Sequence, residues 1–116
     1  MNEIERKATS EDLWAIVPAR SGSKGFPDKN VSSLCGVPLI QHSINFAHSL
    51  SFVDRVLVST DEQAYADLAA SAGAWVPFLR GGEASSDSAM EEDVLTDIRV
   101  GLQRIGVQPP SHVLWL

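Results

Sequence analysis

"LWAIVPARSGSKGFPDKN", residues 13–30, decides how the fold is read. Its first part, Leu13 to Val17, is an apolar run that stops at Pro18, and a short run so bounded predicts a strand buried on both faces. The loop that follows carries Arg20, Lys24 and Lys29 with Gly22 and Gly25, and Asp28 is its single acid. The chain as a whole is acidic, with nine Lys plus Arg against fifteen Asp plus Glu and a net charge of -6. That balance argues against a surface built to coat nucleic acid or an anionic membrane. Cations gathered at one strand end can instead serve a small anion bound locally.

Chemically the loop suits that purpose. Gly22 and Gly25 allow close backbone approach, and successive N–H groups in such a turn can form a nest for anionic oxygens. Arg20 offers a planar fork for phosphate, whereas Lys24 and Lys29 are mobile point charges. Three cations around one concave loop suit a triphosphate. Loop chemistry alone leaves a second reading open, a solvated loop that uses Gly and Pro for its turns. Lys24 is followed by Gly25, so the Walker A pattern fails, and G-x-G-x-x-G is absent, which argues against an ATPase or an NAD dehydrogenase.

Outward from this stretch, residues 1–12 are polar and unpatterned and predict a disordered tail, leaving 13–116 as one domain. "CGVP" signals a turn, and Leu39, Ile40, Ile44, Ala47 and Leu50 then recur at helical spacing behind Pro38. "RVLVS" (55–59) is a second buried strand. Thr60 and Gln63 have the spacing of a capping box for a helix that Gly73 stops. "AWVPF" (74–78) reads as a third strand, followed by a flexible "RGGEASSDSA" loop. The next helix places Met90, Val94, Ile98, Leu102 and Ile105 on one face, with Ser88 and Glu91 as its capping box. "HVLWL" (112–116) is a fourth strand.

Alternating strands and helices predict a parallel α/β sheet with flanking helices. If strands two and three lie to one side of the first and strand four crosses to the other, a switch point opens at the end of strand one, where ligands bind. That is where Arg20 begins the charged loop. A last strand ending on Leu116 reads as a sheet truncated after its fourth strand, and predicts further sequence or a partner chain along that edge.

The remaining chemistry-bearing residues have plainer readings. Cys35, the lone cysteine, is a small apolar core residue. His42, His48 and His112 lack metal spacing, and Asp61 is a helix cap. Trp14, Trp75 and Trp115 are packing residues of strands. No apolar run approaches membrane-spanning length and the N-terminus has no apolar leader, so a soluble cytoplasmic protein is expected.

"PARSGSKGFPDKN" resembles the first signature of the acylneuraminate cytidylyltransferases, or CMP-sialic acid synthetases, and of relatives that activate other nonulosonic acids and KDO. The resemblance continues through "GVPLI" (36–40), "VDRVLVSTDEQ" (53–63), "AGAWVPFLR" (72–80) and the helix after the following "SD". It implies a Rossmann-like sheet of the nucleotide-diphospho-sugar transferase type in a homodimer. It further implies transfer of CMP from CTP to a sugar acid, with Mg²⁺ assisting. Lys29 and Arg20 are then the catalytic side chains, Lys29 neutralising charge that develops at the α-phosphate. Arg20, Gly22, Ser23 and Lys24 would cradle the triphosphate, and Asn30 and Arg80 would help hold the nucleotide.

This chain departs from the family pattern in places. It reads "DSAMEE" (87–92) where the family usually has serines, which weakens the case for a nucleotide contact from that turn. "FLRGG" replaces the commoner Arg-Pro and predicts a looser loop around Arg80. The family's next signature would begin past Leu116, with the sugar contacts and metal-binding aspartates, so no metal ligand is assigned. Two alternatives stand beside a complete activity: a non-catalytic nucleotide-binding or dimerisation module, and a related sugar nucleotidyltransferase such as the KDO type.

Overall fold

The computed structural model describes residues 12–19, 33–34, 37–81 and 90–116. In chain order its elements are β1 (Leu13–Pro18), β2 (Ser33–Leu34), β3 (Val37–Pro38), α1 (Leu39–Ser49), β4 (Arg55–Ser59), α2 (Gln63–Ser71), α3 (Glu91–Arg104) and β5 (His112–Trp115). The tail 1–11, Cys35, Ser88 and the stretch 82–89 of the expected flexible loop lie outside the described residues.

Burial of β1 on both faces organises the rest. Because side chains alternate along a strand, Ala15 and Val17 face one way and Trp14 and Ile16 the other. Ala15 and Val17 join Val56 and Val58 of β4 under Ile40, Ile44 and Ala47 of α1 and Ala69 of α2. Trp14, Ile16 and Leu57 join Val94, Ile98 and Leu102 of α3. The result is a sheet with α1 and α2 on one face and α3 on the other.

β1 lies between β4 and β5 and is parallel to both, with Pro18 opposite Ser59 at the C-terminal end of β4 and Trp14 opposite Val113 in β5. The expected crossing of the last strand to the far side of the first is therefore observed. The expected third strand is not. Residues 74–78 contribute one parallel bridge, Trp75 to Leu57, in which Trp75 N–H donates to the Val56 carbonyl (2.9 Å) and Val58 N–H to the Trp75 carbonyl (2.9 Å). Pro77, two residues on, has no N–H with which to extend the ladder. β2 and β3 form a short antiparallel pair whose two-residue strands are too brief for any periodic pattern to announce.

The helix ends correct the expected caps. α2 starts after Glu62 with no side-chain cap, so neither Thr60 nor Asp61 is its N-cap. Thr60 Oγ1 instead accepts the Glu62 N–H (3.3 Å), and Gln63 donates to Asp67 one turn on (2.9 Å). Gly73 does stop this helix, at φ +92°, where a side chain would be strained. α3 starts after Met90, whose N–H is taken by Asp93 (2.8 Å), two positions beyond the expected Ser88–Glu91 box. Its buried face is Val94, Ile98, Gly101 and Leu102, whereas Met90 and Ile105 are exposed. Asp12, counted as tail, is buried and accepts the Trp14 Nε1–H (3.2 Å).

Arg55 was hidden inside an apolar run. It is 2% exposed at the start of β4, its guanidinium carbon 5.0 Å from the Trp14 ring centre and 4.4 Å from that of Trp75. The two indoles meet edge-on at 5.7 Å. All three tryptophans pack on the α3 face, as expected of them. Among the described residues no helix is long and apolar enough to cross a membrane.

Candidate nucleotide site

The C-terminal ends of β1 and β4 meet at one serine. Ser59 ends β4, and its carbonyl accepts the N–H of Ala19 (2.8 Å), the buried residue that leads into position 20. β4 and β5 flank β1 on opposite sides, so this is the place where chain connections diverge and a crevice forms in open parallel sheets.

Arg80 arrives at the same serine from the segment beyond Trp75. Its backbone N–H donates to the Thr60 carbonyl (2.7 Å), its Nε–H to Ser59 Oγ (3.0 Å) and its Nη2–H to the Ser59 carbonyl (2.8 Å). Two edges of the prospective site, the backbone entering the charged loop and the Arg80 guanidinium, thus share one carbonyl oxygen. Of the sequence-predicted site residues, Arg80 is positioned here; Arg20, Gly22, Ser23, Lys24, Lys29 and Asn30 lie outside the described residues.

The expectation of a loose loop around Arg80 is corrected by its burial, with 8% of its surface exposed. Gly81 supplies part of the reason. Its N–H donates to Asp97 Oδ1 on α3 (3.0 Å), a bond that a proline at this position, having no N–H, would not make. A Cβ at residue 81 would stand 2.8 Å from that oxygen, so glycine also provides the clearance. Asp97 Oδ2 is buried without a hydrogen-bond partner among the described residues. Sequence reasoning missed both Ser59 and Asp97. The contacts span 21 and 16 residues, beyond the reach of any local spacing rule.

The grip on Arg80 is structural as well as positional. Arg80→Lys keeps the charge but loses the planar fork, so side chain 80 no longer meets both Ser59 Oγ and the Ser59 carbonyl, which keeps its Ala19 N–H, in a buried setting. We expect it to lower unfolding free energy in urea by about 1–3 kcal/mol, the cost of a buried polar group losing its partner. Unchanged stability would show that the fork is dispensable to the fold.

A different cleft, of about 180 Å³, lies under α3, lined by Trp14, Leu95, Ile98, Arg99, Pro109 and Val113 among others. Its walls are largely apolar and it adjoins the starts of β1 and β5, at the other end of the strands from Ser59. Among the described residues, Arg99 is its only charged lining residue.

The fold has a counterpart among solved structures. The structure of a CMP:2-keto-3-deoxy-manno-octonic acid synthetase complexed with CTP superposes with a TM-score of 0.68 and 22% identity, over 90% of this chain and 40% of that one. Family follows from sequence: the profile described as "Cytidylyltransferase" matches residues 14–105, and the chain belongs to that family. It is 39% identical to the CMP-N,N'-diacetyllegionaminic acid synthase of Legionella pneumophila over 95 residues, 82% of this chain and 41% of that protein. It is 43% identical to the N-acylneuraminate cytidylyltransferase of Streptococcus agalactiae over 84 residues, 71% of this chain and 20% of that one. The pseudaminic acid cytidylyltransferase of Campylobacter jejuni is 39% identical over 80 residues, 69% of this chain and 34% of that one. The chain therefore spans at most about two fifths of the length of these relatives.

Proposed function

We propose that this chain is the nucleotide-binding part of a cytidylyltransferase that transfers CMP from CTP to a nonulosonic, sialic-acid-like sugar acid. In that reaction the 2-hydroxyl oxygen of the sugar acid bonds to the α-phosphorus of CTP. The bond from that phosphorus to the bridging oxygen breaks, pyrophosphate leaves, and the hydroxyl proton passes to solvent. Such a transfer asks little covalent chemistry of the protein, so placing the phosphates and offsetting their charge supply most of the rate. One observation carries the reading beyond family membership: Arg80 and the backbone entering residue 20 converge on Ser59 at the end of the central strand.

In this reading the domain comprises residues 13–116. Lys29 and Arg20 act at the reacting phosphate, Arg20, Gly22, Ser23 and Lys24 cradle the triphosphate, and Asn30 and Arg80 help hold the nucleotide. Mg²⁺ belongs to the proposed chemistry as a neutraliser of phosphate charge. Among the described residues no group of three or more His, Cys, Asp or Glu converges into a metal site, so none of them is assigned to it. A cytoplasmic homodimer completes the proposal.

Calorimetric titration with CTP is the test. The chain should bind CTP, and Lys29→Ala or Arg20→Ala should each weaken binding by about 1–3 kcal/mol, the scale of a charged hydrogen bond. Absence of CTP binding, or affinity equal to the parent's in both variants, would contradict the assignment. Because the chain spans 41% of its Legionella relative, a module that binds nucleotide or dimerises without turnover is the second reading. It is distinguished by CTP affinity or a stable dimer with no pyrophosphate release when the remainder of a relative is supplied in trans. Ranking CTP against UTP, GTP and ATP separates a cytidylyltransferase, KDO type included, from a transferase of another base.

A further inference from the structure

Ser59 is a polar end to a strand otherwise made of Arg55 and three aliphatic residues, and it is 4% exposed. The parallel ladder uses only backbone groups of β4, so sheet pairing does not call for a hydroxyl here. The hydroxyl has another partner: Oγ accepts the Arg80 Nε–H at 3.0 Å while the carbonyl of the same residue accepts the Nη2–H at 2.8 Å. These two donors form one edge of the planar guanidinium, and an edge held at two points leaves the plane no freedom to rotate. The direction of the end-on fork is thereby set. The same carbonyl also holds the Ala19 N–H at 2.8 Å, so the plane of Arg80 is referenced to the backbone that enters position 20.

We infer that Ser59 is a positioning residue of the nucleotide site: its hydroxyl orients Arg80, and its carbonyl locks that orientation to the start of the charged loop. The inference rests on the nucleotide role of Arg80 proposed above and adds a residue that itself touches no nucleotide. Ser59→Ala keeps the carbonyl and removes the hydroxyl, so the guanidinium loses one of its two contacts with Ser59 and its plane is less firmly set. Ser59→Thr retains the hydroxyl.

The experiment combines CTP titration with nitrogen-15 NMR of the Arg80 Nε–H in the full chain. The parent and Ser59→Thr should give a slowly exchanging Nε–H signal and affinities within about twofold of each other. Ser59→Ala should give rapid Nε–H exchange and CTP binding about three- to tenfold weaker, as loss of one hydrogen bond predicts. An Nε–H equally protected in Ser59→Ala, or equal loss of affinity in the Thr and Ala variants, would overturn the inference. The two proposals fail separately. Equal CTP binding by the parent and Arg80→Ala would remove the nucleotide role of Arg80; parent-like binding by Ser59→Ala beside weak binding by Arg80→Ala would remove the role of Ser59 alone.

Discussion

Trp14→Ala is expected to lower the unfolding free energy by about 3–5 kcal/mol, the range for deleting a buried aromatic ring. Three structural reasons place it there. Trp14 is fully buried in the strand at the middle of the sheet, between Arg55 on β4 and Val113 on β5. Its ring meets Trp75 edge-on at 5.7 Å and, with Trp75, encloses the buried Arg55 guanidinium. Its Nε1–H also bonds buried Asp12. Alanine would open a cavity and strip one aromatic face from a desolvated cation, an interaction that contributes about 2 kcal/mol when shielded from water. Small domains have only about 5–15 kcal/mol in total, so the variant should lose a large share of its stability. Urea unfolding checks this, and a loss under about 1 kcal/mol would contradict the central place given to this residue.

Gly101→Ala should also destabilise, by about 1–3 kcal/mol, although alanine is the better helix former by about 1 kcal/mol. A Cβ at Gly101 would stand 2.2 Å from Phe78 Cζ and 2.5 Å from each Cε, so the ring lies directly on the α3 backbone. Phe78 is two residues before Arg80, and moving the ring moves the segment that delivers the guanidinium to Ser59. Gly101→Ala should therefore weaken CTP binding as well as stability. Combining it with Phe78→Ala gives a control. If the clash is the cause, the double variant should be more stable than the sum of the two single losses predicts. Simple additivity would place the cause elsewhere.

How much of this was legible depends on the range over which each signal acts. Leu13 to Val17 and Val56 to Val58 announced buried strands because both their faces are covered, and Val94, Ile98 and Leu102 announced the inward face of α3 by their spacing. The spacing of Thr60 with Gln63, and of Ser88 with Glu91, misled. A hydroxyl three residues before Gln or Glu recurs by chance, and in this fold the Thr60 hydroxyl is engaged in a turn with the Glu62 N–H. "AWVPF" had strand composition but carries Pro77, which limits it to a bridge. Arg55 was invisible because the surface that covers it comes from Trp14 and Trp75, 41 positions before it and 20 after. The site divided similarly. Arg80 was legible through family resemblance, whereas Ser59 and Asp97 act through contacts that only the folded chain creates.

The central claim is that a nucleotide sits at the C-terminal end of the middle strand, and amide chemical shifts recorded while CTP is added address it most directly. The largest changes among the described residues are expected at Ala19, Ser59, Thr60, Arg80 and Gly81, around the shared Ser59 carbonyl. Changes confined to Leu95, Arg99 and Val113, around the cleft under α3, would contradict it, as would a spectrum that CTP leaves unmoved.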